Sequence, residues 1–247
     1  MTSFDYTEHT LPVREDIPAA YRQFWSALAA PGTWWTGHQR VAIADESRHA
    51  GACLLCAERK TALSPYGGTE RHADTSDLTA RAVDAIHRII TDQNRITRAW
   101  VQDNAANGLS QEAYVELVGI VVTVFSIDEF HRALDMPLEP LPHPLDGEPT
   151  RYRPSILSHD IGFVPTVPPE GALGEERDLW PLGKTANVVR ALSLVPNTLR
   201  DWRSVAAVQY LALTDMGHYG AFRGRSLHRM QMELIAGRVS AVNECFY

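Results

Sequence analysis

Apolar residues recur every three to four positions along most of this 247-residue chain, and runs of strict apolar and polar alternation bounded by turn residues do not stand out. The first pattern is typical of amphipathic helices, whereas the second marks half-buried strands. We therefore predict an all-α fold. The predicted helices are Glu15 to Ala30, Thr36 to Ala50, Cys53 to Leu63, Ser76 to Asp92, Ile96 to Ala106, Ser110 to Leu134, Thr185 to Leu194, Asn197 to Thr214 and Arg225 to Val242.

A proline-rich segment interrupts this pattern. Ten of the fifteen prolines lie between Pro137 and Pro181, where long periodic runs are lacking. Proline breaks helices, so the segment is predicted to be an arm or linker between two helical modules. The predicted divisions are 1–135, 136–184 and 185–247. We expect the arm to wrap a neighbouring domain or subunit, and a poorly ordered linker is the alternative.

The charge and hydropathy of the chain argue against several kinds of partner and location. The net charge of -7 and pI near 5.8 argue against partners such as nucleic acid or an anionic membrane, which need a basic field. The longest strongly apolar stretch, Leu117 to Ile127, is about half of what a membrane-spanning helix requires. The first residues lack the basic and apolar regions of a secretory signal, so a cytoplasmic location is predicted.

The chain has three cysteines, and two of them, Cys53 and Cys56, form a Cys-x-x-Cys that begins two positions after Gly51. In a reducing compartment such a pair is more naturally redox-active or metal-binding than a structural disulfide. At a helix start, free N–H groups favour a thiolate, but Leu54 and Leu55 make the surroundings apolar and would raise the thiol pKa. A redox pair and two buried core cysteines therefore both remain open.

A zinc site is a further interpretation, with His49 and His72 as the candidate additional ligands. The spacing matches no recurrent structural-zinc pattern, and the sequence has no second cysteine pair. We therefore predict neither a metal nor a cofactor.

The residues that precede Cys53 resemble, at the same spacing, those that precede Cys245. Aligning Cys53 with Cys245 also aligns Gly51 with Asn243, and Ile43-Ala44 with Ile235-Ala236, which indicates a diverged internal repeat. Glu233 lies twelve positions before Cys245, about 18 Å away along a straight helix, so the two side chains can cooperate only if the helix breaks near Asn243. Taken by itself, Glu233 is equally explained as a solvated or ion-paired helix carboxylate.

The segment Met232 to Tyr247 resembles the core motif of the alkylhydroperoxidase D and carboxymuconolactone decarboxylase superfamily, which carries a Glu twelve positions before a Cys-x-x-Cys. The resemblance implies an all-helical, homo-oligomeric enzyme that cycles between dithiol and disulfide. It also implies that Glu233 relays protons and that Cys245 is the resolving cysteine. The peroxide-attacking position would follow Tyr247.

Some members of this superfamily carry selenocysteine at that position, encoded by UGA. We therefore expect this chain to be a selenoprotein product truncated at its selenocysteine and inactive at the C-terminal site; a deliberate boundary and a degenerate paralogue are the alternatives. In the first copy Cys53 and Cys56 match the pair, but Val41 stands in place of the Glu and Lys60 in place of a later His. The first copy therefore resembles a degenerate repeat.

The predicted function is thiol- or selenol-dependent reduction of a small-molecule hydroperoxide, with a thiol or dithiol as electron donor. A cofactor-free lyase, as in the decarboxylase branch, is one alternative, because acid–base residues suffice for that chemistry. A non-catalytic oligomeric scaffold with inert cysteines is the other.

Overall fold

The computed structural model describes residues 4–62, 72, 77–183, 185–220, 225–243 and 245. Within these ranges the chain is all-α, as predicted, and its extended pairing is limited to an isolated bridge between Ser158 and Thr166. None of the helices in this part combines the length and apolarity needed to cross a membrane. The helices are α1 Asp16–Ala29, α2 Gly37–Ala50, α3 Leu54–Thr61, α4 Ala80–Thr91, α5 Arg98–Ala106, α6 Gln111–Ala133, α7 Asn187–Arg190, α8 Pro196–Gln209 and α9 Arg229–Val242.

Capping side chains explain several of the helix starts. The Thr36 side chain accepts a hydrogen bond from the Gln39 N–H, and the Gln39 side chain accepts one from the Thr36 N–H, which forms a capping box before α2. At the start of α6 the Ser110 side chain accepts a hydrogen bond from the Ala113 N–H. Gly108, with φ of 103°, follows the end of α5. These boundaries could be predicted because the residues that set them are local.

Four helices differ from the prediction by at least four residues at one end: α8 ends at Gln209 instead of Thr214 and α9 begins at Arg229 instead of Arg225, and α4 and α7 differ as follows. Helix α4 begins at Ala80 with Thr79 as its cap, whereas the predicted start, Ser76, lies outside the described residues. Helix α7 ends at Arg190 instead of Leu194. The chain turns there because the Ser193 hydroxyl accepts a hydrogen bond from the Val167 N–H and donates one to the Arg190 carbonyl. A tertiary contact with the proline-rich arm therefore overrides the helical periodicity.

The main apolar core lies between α1, α2, α4 and α6, and α8 packs against α1 and α6. A second apolar cluster forms where the arm and the α7–α8 region meet α6. Its fully buried members include Val167, Leu179, Leu194 and Leu199. At this contact Gly119 of α6 faces Thr198, and a Cβ on the glycine would lie 1.9 Å from the Thr198 methyl group. The glycine therefore allows α6 and α8 to approach closely.

The proline-rich arm runs along the N-terminal helices. The Leu145 N–H donates to the Ala29 carbonyl at 2.8 Å, and the Arg151 N–H donates to the Thr33 carbonyl at 2.8 Å. The Trp25 indole N–H also donates to the Pro140 carbonyl at 2.8 Å. The arm thus hydrogen-bonds to the end of α1 and to the connection that leads into α2.

A buried ion pair lies between helices α2 and α6, next to α8. Arg40 of α2 pairs with Glu116 of α6, and its Nη2 lies 3.7 Å from Asp201 of α8. Burial raises the pKa of Asp201 to about 6, against the opposing effect of the Arg40 charge. A Cβ at Gly32 would lie 1.9 Å from the Glu116 carboxylate, so the backbone closes tightly over the pair. The three charged side chains thus connect α2, α6 and α8.

Candidate functional site

Two thiols and two imidazoles meet at the end of α2 and between α3 and α4. They belong to Cys53, Cys56, His72 and His87, and the ligand atoms that they offer all lie within 4.8 Å of one another. His72 Nδ1 lies 3.6 Å from Cys53 Sγ and 3.5 Å from Cys56 Sγ. His87 Nδ1 lies 3.3 Å from Cys56 Sγ. We call these four residues the thiol–imidazole cluster.

The local sequence explains how the thiols reach this point. Helix α2 ends at Ala50, and the Cys53 N–H bonds back to the Ala50 carbonyl at 3.2 Å, which tightens the connection to α3. Cys53 is then the N-cap residue of α3 and Cys56 lies in its first turn. Leu54 is 80% exposed and only Leu55 enters the core, so the dipeptide between the cysteines does not enclose both sulfurs in apolar surface.

Each imidazole also contacts a carboxylate through its other nitrogen. His87 Nε2 lies 2.8 Å from Glu46 Oε1, and both side chains are fully buried. His72 Nε2 lies 3.0 Å from Asp84 Oδ1. A carboxylate accepts hydrogen bonds, so Nε2 carries a proton in both rings and Nδ1 faces the sulfurs. The carboxylates therefore fix the orientation of both rings.

Asp84 is itself held by cations. Arg59 Nη1 lies 2.6 Å from its Oδ1 and Arg88 Nε lies 2.7 Å from its Oδ2. Burial opposes ionisation of this carboxyl, but its hydrogen bonds to His72, Arg59 and Arg88 hold its pKa well below the usual range. Asp84 is therefore a charged acceptor beside His72.

These contacts also set the protonation of the cluster. Burial alone would raise the pKa of Cys56, but hydrogen bonds from His72 and His87 outweigh burial and lower it to about 5. The pKa of Cys53 is lowered too, with the His72 hydrogen bond outweighing burial. For His72, the hydrogen bonds to Asp84 and to the thiols outweigh burial and raise the pKa to about 10. Burial does raise the thiol pKa, as expected for Leu54 and Leu55, but the hydrogen bonds from the imidazoles make the net shift a lowering.

The two C-terminal candidate residues, Glu233 and Cys245, lie outside the thiol–imidazole cluster. Glu233 is on α9, where the Tyr210 hydroxyl donates to its carboxylate and Arg229 forms an ion pair with it at 2.5 Å. Helix α9 ends at Val242 with Asn243 as its C-cap, and the exposed Cys245 follows, with its N–H bonded to the Ser240 carbonyl at 2.9 Å. Glu244, Phe246 and Tyr247 of the motif lie outside the described residues.

Sequence reasoning identified part of the cluster. Cys53 and Cys56 were predicted, and His72 was named as a possible zinc ligand, but His49 bonds to the Asp45 carbonyl and is not a member. His87 and the carboxylate of Glu46 were missed. The available signal was a histidine on the buried face of α4, where a polar ring needs a partner.

Comparison with models of protein families, with curated proteins and with solved structures finds no match for this chain.

Proposed function

We propose that the chain is a dithiol-dependent hydroperoxide reductase of the alkylhydroperoxidase D type that acts at Cys53 and Cys56. The observation that carries the proposal is the buried series of contacts from Cys56 Sγ through the His87 ring to Glu46, at 3.3 Å and 2.8 Å, with a second thiol beside it. A nucleophile, a base and a group that orients the base are the parts that thiol catalysis requires.

In the proposed reaction, the Cys56 thiolate attacks the distal oxygen of a hydroperoxide and the O–O bond breaks. The alcohol leaves with a proton, and Cys56 becomes a sulfenic acid. The Cys53 thiol then attacks that sulfur, water departs, and a Cys53–Cys56 disulfide forms. An external dithiol reduces the disulfide by thiol–disulfide exchange and is itself oxidised. Electrons thus pass from the donor dithiol to the hydroperoxide.

His87 suits this reaction because its Nδ1 lies 3.3 Å from the attacking sulfur. In that position the ring can hold the thiol proton and return it to the leaving alcohol. Glu46 acts through His87 by fixing the tautomer and the ring plane, so it is a positioning residue. In this proposal the carboxylate comes from Glu46 and the imidazole from His87, in place of the motif positions that Val41 and Lys60 occupy.

The proposal includes a second, related module in residues 185–247. Its support is a shared local geometry: α2 ends at Ala50, three residues before Cys53, and α9 ends at Val242, three residues before Cys245. Homo-oligomer formation belongs to the same proposal. Four apolar residues of α9, each more than half exposed, would be covered by a subunit contact: Leu234, Ile235, Val239 and Val242.

Glu46→Gln tests the role of the buried carboxylate. We expect the rate of hydroperoxide consumption to fall by about 10- to 100-fold, because His87 loses the charged acceptor that orients it. The assay follows hydroperoxide loss under a regenerating dithiol, with the chain freed of metal by a chelator. Glu58→Gln, on the exposed side of α3, is the matched control and should leave the rate unchanged.

The circular dichroism spectrum and melting temperature of each variant separate lost chemistry from lost structure. If Glu46→Gln keeps the wild-type rate while still folded, the proposed relay is wrong.

A further inference from the structure

We propose that Cys53, Cys56, His72 and His87 together bind a single Zn²⁺ ion. This inference goes beyond the proposed function, because it requires the two thiols and two imidazoles but no peroxide chemistry. Its first support is the donor set. Two sulfurs and two imidazole nitrogens are the ligands of recurrent structural zinc sites. Magnesium and calcium prefer oxygen ligands, which the cluster does not offer directly to its centre.

The distances fit a tetrahedral ion. With zinc–sulfur bonds of about 2.3 Å and zinc–nitrogen bonds of about 2.0 to 2.1 Å, a sulfur and a nitrogen on a tetrahedron lie about 3.5 Å apart. The three sulfur–nitrogen distances given above are 3.6, 3.5 and 3.3 Å. The two rings direct Nδ1 toward this common centre. The other three ligand pairs lie within 4.8 Å of one another, against about 3.3 to 3.8 Å on such a tetrahedron, so closing the site needs shifts of at most about 1 to 1.5 Å.

The surrounding carboxylates are the second support. In metal sites a ligating histidine usually donates its other N–H to a carboxylate, which fixes the ring and makes the ligand more basic. Both rings of the cluster have this partner, Glu46 for His87 and Asp84 for His72. Arg59 and Arg88 hold Asp84 in turn. A pair of cysteines that served only to fill the core would have no need of two oriented rings.

The location of His72 indicates what the ion would do. Cys53 and Cys56 belong to α3, His87 belongs to α4, and His72 lies in the connection between these helices. One ion would therefore cross-link three pieces of the chain. Four protein ligands leave no open position for a substrate, so the bound ion would be structural.

Zinc binding and the disulfide exclude each other, because both use the two thiolates. A zinc-loaded chain is therefore expected to reduce hydroperoxide slowly. Oxidation of the pair by a hydroperoxide would form the disulfide, consume two protons, yield one alcohol and one water, and release the ion. The metal state would thus control the dithiol reaction proposed above.

The test is the metal content of the full chain, purified reduced from cells supplied with zinc and measured by elemental mass spectrometry. The expected result is about one zinc ion per chain. Replacement of zinc by Co²⁺ should give the visible d–d bands of a tetrahedral site and a sulfur-to-cobalt charge-transfer band. A chain that is folded and fully reduced but binds neither ion would overturn the proposal.

Variants locate the site. His72→Gln and Cys53→Ser should each lower zinc affinity at least 100-fold in a chelator competition, whereas His49→Gln, outside the cluster, should leave it unchanged. Glu46→Gln should lower it about 10- to 100-fold through the His87 ring. Equal affinity in His72→Gln and wild type would contradict the assignment. Metal content is measured without peroxide, and peroxide reduction is measured on the metal-free chain, so the two proposals can fail separately.

Discussion

Cys56→Ser is expected to lower the rate of hydroperoxide reduction by at least about 100-fold. A serine hydroxyl in the same place remains protonated at neutral pH and is a far weaker nucleophile than a thiolate. The serine oxygen is smaller than sulfur and can bond to His87, so the fold should survive the change. The rate is measured as hydroperoxide loss by the metal-free chain with a regenerating dithiol.

Cys53→Ser should block a later step of the reaction than Cys56→Ser does, namely disulfide formation. Cys56 can still attack the peroxide, but its sulfenic acid has no partner thiol within the chain. In a reaction with one equivalent of hydroperoxide and no donor dithiol, the variant should therefore stop at the sulfenic acid, whereas the wild type forms the disulfide. A sulfenic-acid trap such as dimedone would then label Cys56. If Cys56→Ser keeps the activity and Cys245→Ser loses it, the reaction belongs to the C-terminal motif and the present assignment is wrong.

Arg40→Met is expected to destabilise the chain by about 3 to 5 kcal/mol. Arg40 and Glu116 are both almost fully buried, and Asp201 lies beside them. Removing the cation leaves the Glu116 carboxylate without its compensating charge in a place that water does not reach. The free energy of unfolding, measured by urea titration at neutral pH, gives the loss. Arg132→Met, at an exposed ion pair near the end of α6, should cost less than about 1 kcal/mol.

A second substitution tests the reason for this loss. In Arg40→Met with Glu116→Gln, the amide oxygen can still accept the Trp34 N–H, and the uncompensated charge is gone. The double variant should therefore be more stable than Arg40→Met alone. Two results would contradict this explanation. Arg40→Met could lower the free energy of unfolding by less than about 1 kcal/mol, or the double variant could be no more stable than Arg40→Met.

Helix periodicity predicted the order of the helices in the described residues, and a tertiary contact explains the early end of α7. Thr36, Ser110 and Gly108 mark boundaries through neighbours within a few residues, so the sequence reveals them. The shortened α7 could not be predicted from its own residues. Its end depends on the hydrogen bond between Ser193 and Val167, which lies in the proline-rich arm 26 positions earlier.

The same distinction holds for the candidate site. Cys53 and Cys56 are visible as a motif because three positions separate them. Glu46 and His87 are 41 positions apart and meet only because α2 packs against α4. No spacing rule brings these two residues together, so the Cys-x-x-Cys was found without its buried base and without the carboxylate behind it.

Cys53 and Cys56 are proposed to form one reactive pair, and the most direct test is to identify the product of their reaction with one equivalent of hydroperoxide. The reduced, metal-free chain is treated, alkylated, digested and mapped by mass spectrometry. We expect a Cys53–Cys56 disulfide, a matching amount of alcohol, and a Cys245 that is still alkylated. If Cys53 and Cys56 remain reduced while the hydroperoxide is consumed, or if only Cys245 is oxidised, the claim is wrong.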